Sequence, residues 1–130
     1  MTCFVYVIAH RHGDAGEDVT GPCKIGISSN PATRLKLFQT GYPAHLVLCV
    51  AYRFPDKQIA RHVEKSFLGY FKNIHPEWCL KGEWVDRHPI WLCQLLAGCL
   101  RWVLNHELKL PQQEMQQSYR VVGLEMGDCP

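Results

Sequence analysis

The chain has 130 residues, 47% of them hydrophobic, and a formal net charge of +2. That suits one domain around one core and differs from the clustered basic face of a dedicated nucleic-acid coat protein. Seven cysteines, an odd number with no C-x-x-C pair, argue against a secreted disulfide scaffold. They read as reduced thiols filling the core of a cytoplasmic protein.

Residues 3–9 (C-F-V-Y-V-I-A) are β-branched and aromatic on both faces, the pattern of a central strand. Residues 10–22, rich in Gly and Asp with two histidines, read as a loop. A zinc site from His10, His12 and Cys23 matches no standard ligand spacing. Residues 23–28 (C-K-I-G-I-S) form a second strand, antiparallel to the first. Asn30-Pro31 opens a helix, with Asn30 as cap and Pro31 at the first helical position, and Thr40-Gly41 ends it on a left-handed glycine.

Residues 45–54 are the clearest strand. Pro55-Asp56 starts a helix to about residue 72, with Ile59, Val63, Phe67 and Tyr70 as its buried face. Glu64 lies off the centre of that face, at the margin between core and solvent. Residues 74–88 read as a loop, and Pro89 opens an apolar helix to about residue 109. No cationic n-region precedes the first strand, which argues against a signal peptide. The most apolar stretch, residues 90–104, is interrupted by Gln94 and Arg101 and falls short of the about 20 apolar residues that span a bilayer. No membrane association is expected.

The predicted architecture is α+β: a small three-stranded antiparallel sheet flanked by helices. The division is a core over residues 1–88, a C-terminal helix over 89–110 and a Gln-rich tail over 111–130 with an apolar patch at 119–124. Trp91, Leu95, Leu96, Leu100, Trp102 and Val103 exceed what one packed face needs, so the helix either packs on the core or makes a homodimer contact.

Four residues on separate elements can converge in this topology: Tyr6 on the first strand, Lys24 on the second, Arg34 on the first helix and Glu64 on the next. Singly, each has an ordinary reading: Tyr6 as a core aromatic, the others as solvated charges. His62 reads as a surface residue, and His10 and His12 as a solvated loop. Glu83 either fixes its loop through a basic partner or lines a cleft, with the structural role preferred.

The ordered set Phe4-Val5-Tyr6-Val7-Ile8, Lys24-Ile25-Gly26-Ile27-Ser28, Asn30-Pro31, Arg34-Leu35, Gln39-Thr40-Gly41, Pro43, Leu46, Glu64, Phe71 and Gly82-Glu83-Trp84 resembles the GIY-YIG nuclease superfamily, in particular its phage-type branch with K-I-G as second motif. The resemblance runs from Phe4 to Trp84. It implies a metal-dependent endonuclease that hydrolyses DNA phosphodiester bonds with Mg2+ or Mn2+; DNA versus RNA is left open. Tyr6, Lys24, Arg34 and Glu64 would be catalytic, Glu64 the metal ligand, and Lys24, Arg34 and Lys36 the nucleic-acid contacts. The sequence departs from the pattern in lacking the first motif's glycine, in Phe38 and Leu68 where relatives carry histidines, and in having only Asn73 for a late asparagine.

The chemistry is coherent without the name. A carboxylate-held metal polarises the phosphate and the planar fork of an arginine suits its oxygens. Tyr6 is a weak base at its ordinary pKa of about 10, so Lys24 is expected to lower that pKa or relay its proton. With no appended DNA-reading module, weak sequence specificity is expected. The alternatives are a catalytically inactive nucleic-acid-binding module and a phage or mobile-element factor that binds a protein through its C-terminal helix.

Overall fold

The computed structural model describes residues 2–12 and 18–107, in the order β1 (Cys3–His12), β2 (Asp18–Ser28), α1 (Pro31–Gln39), β3 (His45–Phe54), α2 (Lys57–Ile74), β4 (Trp84–Val85) and α3 (Pro89–Trp102). A 3-10 turn covers Pro76–Trp78, and a π-helical turn, Val103–Glu107, continues α3. The tail with its apolar patch, and the last residues of the predicted C-terminal helix, lie outside the described residues.

The sheet is antiparallel with strand order β3-β1-β2-β4. The α+β class matches the expectation. The strand count is corrected from three to four, because β4 is only two residues long and two residues carry no readable periodicity. Residues 10–22 are corrected as well. His10, Arg11 and His12 pair with Thr20, Val19 and Asp18 beyond an irregularity in the ladder, so the strands run on through most of what reads as loop. Gly21 and Pro22 sit at that irregularity, where strand pairing tolerates them.

The sheet buries both faces. On one, Val5, Val7 and Ile25 meet Ala60, Val63, Phe67 and Phe71 of α2 and Leu92, Leu96 and Leu100 of α3. On the other, Tyr6, Ile8, Leu46 and Ala51 meet Leu35 and Phe38 of α1. Two covered faces account for the unalternating apolar character of β1.

The caps are as the sequence indicates. The Asn30 side chain accepts from Thr33 N–H, Asp56 accepts from Ile59 N–H, and Gly41 has φ of 77°. The Gln39 side chain donates to Ala44 C=O (2.8 Å) and accepts from Leu46 N–H (2.7 Å), clamping the α1–β3 turn. The buried face of α2 is turned from the expected one: Ala60 and Phe71 are buried, Ile59 is intermediate, and Tyr70 is 41% exposed. The turn is toward Glu64, which carries that carboxylate closer to the sheet.

The core takes Leu96 and Leu100 of α3 and Val103 of the turn that continues it, and leaves Trp91 and Trp102 exposed. The helix packs on the core, and the fold lends the homodimer expectation no support. Among the described residues no helix is long and apolar enough to cross a membrane.

Phe67 is fully buried and meets Phe71 edge-on at 5.0 Å between ring centroids. Phe67→Ala is expected to cost about 3–5 kcal/mol, measured as a shift of the urea midpoint with the slope unchanged.

Candidate active site

A cavity of about 440 Å³ opens where β1, β2, α1, α2 and the segment before β4 meet, lined by Tyr6, Lys24, Ile27, Arg34, Phe38, Arg61, Glu64 and Glu83. It brings together Tyr6, Lys24, Arg34 and Glu64. Lys36 does not line it and lies exposed in the last turn of α1.

Sheet register places the first two. Tyr6 pairs with Gly26 on β2 and Ala51 on β3, both small. A side-chain carbon built on Gly26 would collide with the hydroxyl and ring of Tyr6. The glycine of Lys24-Ile25-Gly26 therefore makes room for the tyrosine to lie across the neighbouring strand. Lys24, two residues away, shares its face.

Lys24 is not coupled to Tyr6 as expected. Its Nζ lies 3.4 Å from Glu83 Oε2, 5.0 Å from the Phe38 ring centroid and 5.8 Å from that of Trp84. Burial pushes the Tyr6 phenol up to about 12; Arg34 pulls it down, while Glu83 and Glu64 push it up. The expectation that Lys24 lowers this pKa is therefore corrected: desolvation outweighs the nearby cation, and the attenuating cation is Arg34. At neutral pH Tyr6 is a phenol.

Glu64 is raised above the ordinary carboxylate range, first by burial and then by the negative charge of Glu83, with Arg61, Lys24 and Lys65 opposing. Two carboxylates thus share one cavity with Lys24, Arg34 and Arg61.

Arg61 is a lining residue the sequence reading missed. Its signal was present: it stands three residues before Glu64, one turn away on the same side of α2. Glu83 combines the two roles weighed for it, gripping Lys24 and lining the cavity. Gly82 has φ of 73°, Ile25 N–H donates to Glu83 C=O (3.2 Å), and Leu80 N–H donates to Trp84 C=O (2.9 Å). Trp78 anchors this segment, with the Arg87 guanidinium 3.7 Å from its ring centroid and His75 stacked at 3.6 Å.

His10 is buried in β1 rather than solvated in a loop. Its Nδ1 lies 2.9 Å from Pro22 O and its Nε2 2.8 Å from the Tyr42 hydroxyl. A carbonyl only accepts, so the His10 Nδ1–H donates to Pro22 C=O, and Nε2 and the Tyr42 hydroxyl share the second hydrogen bond. The Cys23 thiol donates to Arg87 C=O (3.3 Å). Among the described residues no group of three His, Cys, Asp or Glu could hold a metal, so the zinc alternative finds no ligand set there; the His12 side chain lies outside them. The six described cysteines are thiols not joined in disulfides, four of them buried.

An antiparallel sheet covered on both faces, with a polar cleft of two carboxylates, three cations and a phenol, is consistent with a small nuclease-like domain. The T5orf172 domain matches residues 3–103, more than half of the chain, and the chain belongs to that family. T5orf172 domains occur in phage and mobile-element proteins and are associated with nuclease-like folds. No curated protein and no solved structure matches the chain.

Two predictions follow from this geometry. Gly26→Ala is expected to destabilise by about 1–3 kcal/mol through overpacking, and by less in a Tyr6→Ala background, which a double-mutant cycle by chemical denaturation resolves. Because the folded Tyr6 pKa lies above the unfolded value, its contribution to stability is full below pH 10 and is lost as pH rises toward about 12. Wild type is expected to lose stability across that window more steeply than Tyr6→Phe.

Proposed function

We propose that this chain is a divalent-metal-dependent endonuclease hydrolysing phosphodiester bonds in DNA, a GIY-YIG-like nuclease with a reduced active site. The observation that carries the reading is the convergence of Tyr6, Lys24, Arg34, Arg61, Glu64 and Glu83 on one cleft from separate elements. The T5orf172 family membership supports it.

The donor set suits a hard cation. Magnesium uses one or two carboxylates and completes its shell with water and substrate phosphate. Glu64 is half-buried and disfavoured as an anion by burial and by Glu83, a strain that a bound cation relieves. Glu64 would be its ligand, with Glu83 the second carboxylate within the cavity. When bound there, Mg2+ or Mn2+ supplies Lewis-acid polarisation of the phosphoryl oxygens.

The chain's own groups do the rest. Arg34 and Arg61 grip phosphate oxygens, Arg34 by its planar fork. The protonated Tyr6 hydroxyl orients the attacking water, because a phenol held up to about 12 is a poor base at neutral pH. Glu83 accepts the water's proton in this reading, supported by its ion pair with Lys24 at 3.4 Å, which offsets the charge change. Phe38 and Ile27 form the apolar part of the cleft's lining.

One observation favours a second reading. Among the described residues no histidine lines the cleft, and its tyrosine stays protonated, which suits a module that grips phosphates without cutting. The test is incubation of purified protein with single- and double-stranded DNA and RNA, with and without Mg2+ or Mn2+. The nuclease reading expects metal-dependent cleavage of DNA, lost in Glu64→Gln and reduced at least about 10²-fold in Arg34→Ala and Tyr6→Phe. Salt-dependent binding with no cleavage under any condition would replace it with the binding reading.

In the metal-free protein, Glu83→Gln is expected to lower the Glu64 pKa by removing the like charge, read by carboxyl-carbon NMR titration. An unchanged titration would mean the two carboxylates do not sense each other.

A further inference from the structure

A second cavity of about 330 Å³ adjoins the cleft, sharing Ile27, Arg34 and Arg61 with it. Its remaining lining is Thr2, Cys3, Ser28, Ser29 and Lys57. The two basins differ in charge. The cleft holds two carboxylates beside its cations. The second basin has Arg34, Lys57 and Arg61 and, among the described residues, no carboxylate in its lining.

None of these three cations makes an ion pair among the described residues. The acid next to Lys57 is otherwise engaged: Asp56 caps α2, accepting from Ile59 N–H at 2.9 Å. Ser28 Oγ accepts from Asn30 N–H at 3.0 Å, which leaves its hydroxyl hydrogen to donate into the basin. Three unpaired cations and hydroxyl donors around one cavity have the chemistry of a phosphate-diester subsite.

We propose that this basin holds the phosphate next to the scissile one, with Lys57 as its dedicated cation and Arg34 and Arg61 bridging the two phosphates. The inference rests on the reading that the cleft takes a phosphodiester, and it deepens that reading by assigning the substrate class. The substrate is a polynucleotide gripped at two consecutive phosphates, not an isolated diester. Arg34 and Arg61 form the wall common to both basins, so two phosphates of one strand can occupy them without crossing an acidic surface. The carboxylates mark where one phosphate meets metal and water; the acid-free basin marks where the strand is only held.

The test uses binding, which needs no cleavage. The full chain, without divalent metal, is titrated with fluorescein-labelled single-stranded DNA at several salt concentrations by anisotropy. Lys57→Gln is expected to reduce the slope of log K against log salt by about 0.7, one phosphate contact on a single strand. Lys72→Gln, fifteen residues further along α2 and so roughly 22 Å away, is expected to keep the wild-type slope.

In a second arm the unlabelled thymidine dinucleotides TpT, pTpT and TpTp compete with the probe. One of the two bearing a terminal phosphate is expected to outcompete TpT against wild type, and that advantage is expected to disappear in Lys57→Gln. The proposal is overturned if Lys57→Gln keeps the wild-type slope, if neither terminal phosphate adds affinity in wild type, if the advantage persists in the variant, or if wild type does not bind DNA. A chain that binds in the expected manner and cuts nothing sinks the nuclease reading and leaves the two-phosphate subsite standing.

Discussion

The close passage of the Tyr6 ring across Gly26 is the contact on which the site depends. It needs the β1–β2 register that sets Tyr6 opposite Gly26 and Phe4 opposite Ser28. Shifting β1 by one residue against β2 would move every β1 side chain to the opposite face of the sheet. Tyr6 would then enter the α2–α3 core, away from Lys24 and the cleft. The absence of a side chain on Gly26 and the small size of Ala51 on the other flank leave one lane for a buried tyrosine. The pairing thus sets both the packing of the α1 face and the position of the first polar group in the cleft.

A sheet covered on both faces gives the cleft its electrostatic character. Most charged side chains stay on the surface, but here α1 and α2 approach the same margin of the sheet from opposite faces. Glu64 is thereby half-buried at that margin, with the exposed Arg34 and Arg61 beside it. Burial raises both Tyr6 and Glu64, and the Glu83 carboxylate adds to each shift. Without a ligand, the cleft holds its anions at a cost and its cations incompletely paired. That is the condition in which a divalent cation and a phosphodiester both gain most by binding.

The segment between α2 and α3 supplies the fourth wall. Trp78 is contacted by His75 and Arg87 and meets Trp91 edge-on at 5.1 Å. This aromatic knot ties the segment to α2 and α3, so the short β4 can pair with β2 and present Glu83 to Lys24. On the other side of Trp84, Tyr42 stacks at 6.2 Å between ring centroids and His10 fills the angle between them. The cleft is therefore built on packed elements at each edge.

Local chemistry made much of this legible from sequence: the caps Asn30 and Asp56, the left-handed Gly41, the strand patterns of β1 and β3, and the apolar stripe of α2 depend on neighbours within a turn or two. Tyr6, Lys24, Arg34 and Glu64 could be singled out because they recur in an ordered motif set. What sequence could not supply depends on distant chain segments. His10 is buried because Tyr42 and the Pro22 carbonyl reach it, although its own neighbourhood reads as loop. β4 exists because β2 offers it an edge, and Arg61 belongs to the cleft because the buried face of α2 is rotated toward Glu64. Lys24 pairs with Glu83, 59 positions away, and the Tyr6 pKa goes up rather than down because desolvation is a property of the assembled core. Sequence alone determined the main elements and the identities of most of the cleft's polar groups. Tertiary structure decided which charges face one another, since Coulomb and desolvation energies depend on distance and burial, and neither is written in linear spacing.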